Sequence, residues 1–290
     1  MKNKNILSSV LLIYFICLIL RLFEYFVLRT DSTVIGEALF HKLAGIAVLI
    51  IFASLYKYKA EEVGFSLYKC EIKLAAGLLF GIFCFAIAYF VEVLIVKASG
   101  SYIGLSFYVT SYSVNGNLGN QTGFFFFALC IFGNLVNVVM EEGVFRGLFI
   151  RRLQEKFSYS STAVISAVLF GFWHGVAPVR SFIDGELSAF GLFMNCLILI
   201  LSSAVVGYKY GLITKITGSG FMAMGDHFVN NTLVNILHVL SENGVDQLQM
   251  VRISIAQTLS FILVLVFYFY SKNHKKQLQI SEAEISESIE

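Results

Sequence analysis

The stretch NLVNVVMEEGVFRGLFIRR, residues 134–152, decides how this sequence is interpreted. It follows an apolar run that begins at Phe124, and it places two glutamates and an arginine, Glu141, Glu142 and Arg146, inside a hydrophobic segment. A charged side chain at the centre of a bilayer costs about 2.5–3.5 kcal/mol on insertion scales. Such residues persist where they have a function or a partner, so the rest of the chain must supply one or the other.

The composition indicates an integral membrane protein. Of the 290 residues, 57% are hydrophobic and 14% are charged, whereas soluble domains carry about 25% charged residues. The apolar runs are long and continuous and do not alternate with period two, which favours membrane helices over a β-barrel. The net charge of +2 gives no basis for a nucleic-acid partner. The five cysteines form no CxxC pair and are predicted to be free, buried side chains.

We therefore predict an all-α polytopic membrane protein with about eight transmembrane helices that enclose an intramembrane polar cavity. Residues 1–271 are expected to form one transmembrane domain, with a functional core at about 122–240, and residues 272–290 a polar cytoplasmic tail. Residues 57–73 are predicted to lie at the membrane interface and residues 98–121 to form a loop. The predicted spans are 6–28, 39–56, 74–96, 122–148, 161–175, 187–207, 219–240 and 253–271.

The distribution of lysine and arginine predicts the orientation. If both termini are cytoplasmic, most of the lysines and arginines outside the spans fall on the cytoplasmic side, as the positive-inside rule requires. The sequence thus predicts a multi-pass protein of the cell membrane with both ends in the cytoplasm. A composition rich in Lys, Ile, Asn and Phe, with one proline, favours a bacterial source.

The ionisable residues within the predicted spans fall into two groups. Arg21 and Glu24 are three residues apart and predict a local ion pair, and Glu92 lies close enough to a span end to reach water. Glu142 and Arg146 are at i,i+4 and predict a second pair. Glu141 points about 100° away from Glu142 and has no cation one turn away on its own helix.

Two polar stripes are predicted to line the cavity. Glu141 lies on one helical face with Asn134 and Asn137. On a later span, His227 and Asn231 are at i,i+4, and Asn235 and His238 are expected to continue their face. Asp226 precedes this stripe and is expected to orient a neighbour or to cap the helix. A further histidine, His174, ends another span, with Phe170 one turn before it.

Together these side chains predict hydrolysis. Glu141 would act as a general base that activates water, and a histidine and an asparagine would donate hydrogen bonds to the oxyanion of a tetrahedral intermediate. Alternatively, His174 and His227 would hold a zinc ion that activates the water. A third interpretation is that both glutamates only brace neighbouring helices.

In order, spacing and position on hydrophobic segments, the motifs resemble those of the CPBP intramembrane proteases, which include the CAAX prenyl endopeptidases and the bacterial Abi proteins. The family pattern is EExxxR, FxxxH and HxxxN, which here reads EEGVFR from Glu141, FGFWH from Phe170 and HFVNN from His227. The other intramembrane proteases fit less well, because the chain has no HExxH motif and no GxGD motif.

The resemblance implies an intramembrane endopeptidase. It implies catalytic roles for Glu141, Glu142, His174, His227 and Asn231, with Arg146 and Phe170 as structural support. Glu141 would be the base, His174 its neighbour, and His227 with Asn231 the oxyanion site. Members are commonly called metalloproteases, so a zinc ion at His174 and His227 is a possible cofactor and no other cofactor is expected.

The substrate expected from the resemblance is a membrane-associated peptide or protein, processed in the CAAX manner or as bacteriocins and peptide pheromones are. Two other functions are compatible with the sequence. One is a non-catalytic bacteriocin self-immunity or scaffolding protein that keeps the motifs for folding. The other is a transporter, although the chain lacks the two related halves typical of that class. The sequence does not predict an oligomeric state.

Overall fold

The computed structural model of the protein describes residues 5–33, 35, 38–110, 120–242 and 244–287, with side chains as far as Asn273 in the last helix. Within these residues the chain is mostly helical, as predicted. The helices are α1 Ile6–Phe23, α2 Phe40–Leu55, α3 Cys70–Ala98, α4 Phe124–Glu141, α5 Ile150–Leu153, α6 Tyr159–His174, α7 Val176–Ile183, α8 Ala189–Thr217, α9 Phe221–Ile236 and α10 Gln249–Glu287.

Two helices continue without a break through π-helical turns. One is Glu24–Leu28, after α1, and the other is Glu142–Phe149, which joins α4 to α5. Short 3₁₀ turns occupy Thr30–Ser32 and Ala60–Val63. π-Helical turns are rare and often lie at functional sites, and the longer one begins directly after Glu141.

Six continuous helical segments of the described chain are long and apolar enough to cross a membrane. The helix α2 is apolar but shorter, and α9 has 16 residues. The prediction of a polytopic all-α protein is thus confirmed, and the number eight is approximate. The six segments are Ile6–Ser32, Cys70–Ala98, Phe124–Leu153, Tyr159–Ile183, Ala189–Thr217 and Gln249–Asn273.

Local sequence signals set several helix ends. The hydroxyl of Ser158 accepts a hydrogen bond from the Ser161 backbone at the start of α6, and Ser188 does the same for Gly191 at the start of α8. The single proline, Pro178, lies in the first turn of α7, where a helix does not need its missing N–H. All five cysteines are free, as predicted, but only Cys17, Cys84 and Cys130 are also buried, whereas Cys70 and Cys196 are partly exposed.

The predicted loop at 98–121 contains a strand. Strand β1, Tyr102–Phe107, pairs antiparallel with β2, Leu237–Ser241, with a register irregularity between Tyr102 and Gly104. Residues 111–119 of that predicted loop lie outside the described residues. The strand β2 directly follows α9, so the ribbon joins the ends of α3 and α9.

Because α9 ends at Ile236, His238 does not continue its polar face, and that prediction was wrong. His238 lies in β2, stacks on Tyr108 with ring centroids 3.9 Å apart, and its Nδ1 is 3.1 Å from Asp246 Oδ2. The Arg252 guanidinium binds the same carboxylate at 2.6 Å. Burial raises the pKa of Asp246, but the hydrogen bonds from His238 and Arg252 outweigh this effect and lower the pKa.

Glu92 does not reach water, contrary to the sequence prediction. Its side chain is fully buried and is 2.5 Å from the equally buried Arg252. Pairing is the condition under which a carboxylate is tolerated in an apolar interior. Arg252 is contributed by α10, 160 residues away, so no local sequence pattern could have shown it.

Candidate active site

The two glutamates of the opening motif face different partners. Glu142 Oε2 is 3.3 Å from Arg146 Nε, so the predicted i,i+4 pair is present. Arg146 also donates from Nε to the Gly207 carbonyl at 3.3 Å, and its guanidinium carbon lies 3.9 Å from the centre of the Phe170 ring. This arginine therefore ties the π-helical turn to α6 and α8.

Glu142 also reaches the histidine of the last motif. His227 Nδ1 is 2.9 Å from Glu142 Oε1, and its ring stacks on Tyr210 with centroids 4.9 Å apart. Because a carboxylate accepts hydrogen bonds, His227 carries a proton on Nδ1. The other nitrogen, Nε2, lies 3.7 Å from Glu141 Oε2. Glu142 thus holds His227 in place and turns its Nε2 toward Glu141.

Glu141 is bound on both carboxylate oxygens. Oε1 accepts a hydrogen bond from Trp173 Nε1 at 3.0 Å and lies 4.0 Å from Arg21 NH1. Oε2 is 3.4 Å from Asn137 Nδ2, one turn back on its own helix, and faces His227. The residue is only 3% exposed and is therefore shielded from bulk solvent.

Trp173 and Arg21 were not identified from the sequence as parts of the site. Arg21 was expected to pair with Glu24, and this prediction was wrong: Glu24 binds His41 instead, and Arg21 lies 4.4 Å from the centre of the Trp173 ring. Trp173 precedes His174 in the FGFWH motif and is the only tryptophan of the chain. Its position beside a motif histidine was the one available signal.

His174 is oriented by its own helix. Its Nδ1 is 2.9 Å from the Phe170 carbonyl oxygen, and the two rings meet edge to face with centroids 4.6 Å apart. A carbonyl only accepts, so Nδ1 carries the proton and Nε2 keeps its lone pair. Phe170 thereby contacts both Arg146 and His174, and supports both sides of the site.

A polar cavity of about 410 Å³ joins these side chains. Glu141, His174 and Asn231 line it, and His227 borders it through its contact with Glu141. The structure thus brings together the four residues that sequence reasoning placed in one cavity. Arg21 and Lys42 line the same cavity and make part of its wall positively charged.

Asp226, next to His227, has a role that the sequence left open. Its carboxylate is 2.7 Å from Lys209 Nζ, and both side chains are buried. The helix α8 extends to Thr217, well beyond the predicted span end at residue 207, so Lys209 lies inside a helix and not in a loop. Asp226 therefore binds α9 to α8 and does not cap its own helix.

The histidines and carboxylates of the site do not form a metal-binding set. A catalytic zinc ion takes three protein ligands, and no group of three or more His, Cys, Asp or Glu side chains is arranged to hold a metal ion in the described part of the chain. These described residues therefore do not fit a zinc site.

The motif-bearing segment matches a known protein family. Residues 123–233 match the family model described as type II CAAX prenyl endopeptidase Rce1-like. No curated protein matches the chain. The matched segment contains Glu141, His174, His227 and Asn231, and leaves out α1, α2, α3 and α10. The core of this chain, residues 123–233, is thus similar to the Rce1-like endopeptidases, which supports the resemblance to CPBP intramembrane proteases that the three motifs indicate.

Proposed function

We propose that this protein is an intramembrane endopeptidase that hydrolyses a peptide bond of a membrane-associated peptide or protein with water activated by Glu141. The observation that carries the proposal is the cavity lined by Glu141, His174 and Asn231, with His227 Nε2 3.7 Å from the Glu141 carboxylate. The family match at residues 123–233 supports a protease of the CAAX type.

The carboxylate is arranged to take a proton from water. Trp173 Nε1 and Arg21 both approach Oε1, so Oε2 is the oxygen that faces His227. A water beside Oε2 would lose a proton to Glu141 as its oxygen attacks the substrate carbonyl carbon. The unprotonated Nε2 of His174, across the cavity, would accept the second hydrogen bond of that water.

The attack turns the substrate carbonyl oxygen into an oxyanion, which needs hydrogen-bond donors. The side-chain amide of Asn231 is a donor on the cavity wall. His227 is a second donor when its Nε2 also carries a proton. The proton held by Glu141 then passes to the leaving nitrogen, and the C–N bond breaks. Glu142 acts in this scheme through His227, and Arg146 acts through Glu142.

The cavity is lined by residues of helices that are long and apolar enough to cross a membrane, such as Arg21, Glu141 and His174. This favours a substrate that is itself membrane-associated. We propose two candidate substrate types, a C-terminal CAAX-type sequence with a lipid anchor and a hydrophobic precursor of the bacteriocin or pheromone type.

The test is cleavage by the purified protein reconstituted in lipid. A fluorogenic peptide with a farnesylated CAAX sequence and its unmodified counterpart are the two substrates. We expect the wild type to cleave and Glu141→Gln to lose at least about 10²–10⁴-fold in kcat, with an unchanged melting temperature. The matched control is Glu61→Gln, at an exposed glutamate away from the cavity. Wild-type turnover by Glu141→Gln would show that another group is the base.

A further inference from the structure

We propose that Gln257, backed by Lys209, is a positioning residue that fixes the side-chain amide of Asn231 with its NH₂ group toward the cavity. The inference rests on the proposed function, in which Asn231 donates a hydrogen bond to the oxyanion. It adds a residue that the family match does not reach, because Gln257 lies on α10 and the matched segment ends at residue 233.

Three hydrogen bonds connect these residues in a row. Lys209 Nζ donates to Gln257 Oε1 at 2.9 Å, and Gln257 Nε2 donates to Asn230 Oδ1 at 2.7 Å. Asn230 Nδ2 then donates to Asn231 Oδ1 at 2.9 Å. We call this row the amide relay. It runs from α8 through α10 to α9 and ends at the cavity wall.

The direction of the amide relay is set at its first residue. A lysine ammonium group has three donors and no acceptor, so it can be met only by the oxygen of Gln257. Lys209 is itself fixed, because its side chain is fully buried and its Nζ is 2.7 Å from Asp226 Oδ2. With its oxygen committed, Gln257 presents its NH₂ group to Asn230, and Asn230 must in turn present its NH₂ group to Asn231.

The consequence falls on Asn231. Its Oδ1 accepts from Asn230, so its Nδ2 is the group left for the cavity that the side chain lines. An asparagine amide is nearly symmetric in shape, and the reverse orientation would present an oxygen to the oxyanion. That orientation would repel the charge that the site must stabilise. A row of hydrogen bonds with one polarity also strengthens each member.

The amide relay gives Asn230 a role as well. The sequence indicates that Asn230 points about 100° away from Asn231 and contributes less, yet it is the residue through which the polarity reaches Asn231.

The decisive variant is Gln257→Glu, assayed at pH 8, where a glutamate is ionised. The new side chain keeps the shape and still accepts from Lys209, but its other oxygen can only accept. Asn230 must then turn its NH₂ group toward the introduced carboxylate, and Asn231 must turn its oxygen toward the cavity. If Gln257 had a purely structural role, Gln257→Glu would keep a higher kcat than Gln257→Met, because only Gln257→Met loses the bond to Lys209.

We expect the opposite order, in which Gln257→Glu has a lower kcat than Gln257→Met. Because the oxyanion exists only after the substrate has bound, kcat should fall while KM stays unchanged. Asn231→Ala should lower kcat by about 10²–10³-fold, as loss of an oxyanion donor does elsewhere. Gln257→Glu should approach that value, with a loss of about 10²-fold. Gln257→Met should lose only about twofold, because both amide orientations become available and about half of the molecules keep the productive one.

The matched control is Gln249→Glu. Gln249 lies on the same helix and also donates to α9, to the Val234 carbonyl at 2.9 Å, but it has no path to Asn231. Its kcat should equal that of the wild type. In the Asn231→Ala background, Gln257→Glu should cause no further loss of kcat, since both act through one group.

Two results would overturn the amide relay alone: a kcat for Gln257→Glu equal to that of Gln249→Glu, or an equal loss for Gln257→Glu with and without Asn231. If Asn231→Ala itself keeps the wild-type kcat, the proposed oxyanion site is wrong and the amide relay fails with it. Should Gln257→Glu not fold, the same comparison of additivity with Asn231→Ala is made with Gln257→Met.

Discussion

At the scale of single residues, the two adjacent glutamates Glu141 and Glu142 have different binding partners. Glu142 has a cation at i,i+4 and a histidine from α9, whereas Glu141 is bound by Trp173 and Asn137 and faces the cavity. The difference begins in the helix, because neighbouring residues point about 100° apart. One carboxylate braces the site, and the other is available for chemistry.

The buried ion pair of Glu142 and Arg146, which we call the brace, predicts a loss of stability when Arg146 is removed. Arg146→Ala would leave Glu142 Oε2 buried without its cation, and breaking a buried ion pair in this way costs about 3–5 kcal/mol. We expect a markedly lower melting temperature in detergent and a lower yield of folded protein.

The control for this prediction is Arg151→Ala. Arg151 pairs with Glu62 at 2.8 Å, but both side chains are about one-third exposed. Surface pairs contribute about 0–1 kcal/mol, so the melting temperature should hardly change. Equal melting temperatures for the two variants would contradict the brace.

At the scale of secondary-structure elements, the site depends on how closely α3 approaches α9. Gly77 and Gly81 lie one turn apart on α3 in a GxxxG pattern, which allows membrane helices to pack backbone against backbone. A Cβ atom at Gly77 would overlap the Met222 carbonyl oxygen. On the facing helix, a Cβ atom at Gly225 would lie 2.6 Å from the Leu74 carbonyl oxygen.

We expect Gly77→Ala to push α9 away from α3. This shift would move His227 and weaken its 2.9 Å hydrogen bond to Glu142. Overpacking of this kind costs about 1–3 kcal/mol, so both the melting temperature and turnover should fall. The control is Gly104→Ala in β1, where a Cβ atom meets nothing within 4 Å. A Gly77→Ala protein with wild-type melting temperature and kcat would show that α3 does not set the position of α9.

At the scale of the whole molecule, loops that are distant in sequence meet at common ends. The ribbon of β1 and β2 joins the ends of α3 and α9. Elsewhere, the Gly220 backbone donates to the Gly64 carbonyl at 2.8 Å, and Arg151 binds Glu62. The turns after α2, α5 and α8 thus share one end of the bundle, which agrees with an alternating path through the membrane.

Several lysines and arginines that enter the positive-inside count are buried in the structure. In the count of lysines and arginines, Lys42, Arg180 and Arg252 fall on the side opposite the cytoplasm and Lys209 on the cytoplasmic side, but all four are buried inside the protein. The two arginines bind Asp31 and Glu92, and buried cations of this kind do not measure loop charge. Removing all four from the count leaves an excess of lysine and arginine on the predicted cytoplasmic side.

We therefore expect reporters fused after Ser271 and within the 151–160 loop to be cytoplasmic, and a reporter in the 98–121 segment to lie on the opposite side. The measurement is a pair of reporters, one active only in the cytoplasm and one only outside it. Because β1 and β2 pair, a reporter placed after Ser241 should agree with the one in the 98–121 segment. A cytoplasmic signal from either would refute the alternating path.

The sequence by itself determined the membrane class, the approximate helices and the motif residues Glu141, His174 and Asn231 that line the cavity. These follow from local properties: apolar length defines a span, and a polar side chain in a span turns away from lipid. The pair of Glu142 and Arg146 was predictable for the same reason, since both lie on one face of one helix. The motifs then indicated the family that the match at residues 123–233 supports.

Only the tertiary structure decided which distant groups meet. Arg21 was expected beside Glu24 and lies near Glu141, Glu92 was expected near water and binds Arg252, and His238 was expected on α9 and lies in β2. In each case the partner comes from another helix or strand. A buried charged group needs a partner, but the local sequence does not show which residue that partner is. The amide relay from Lys209 to Asn231 also depends on the tertiary structure, because its hydrogen bonds form only when α8, α9 and α10 pack together.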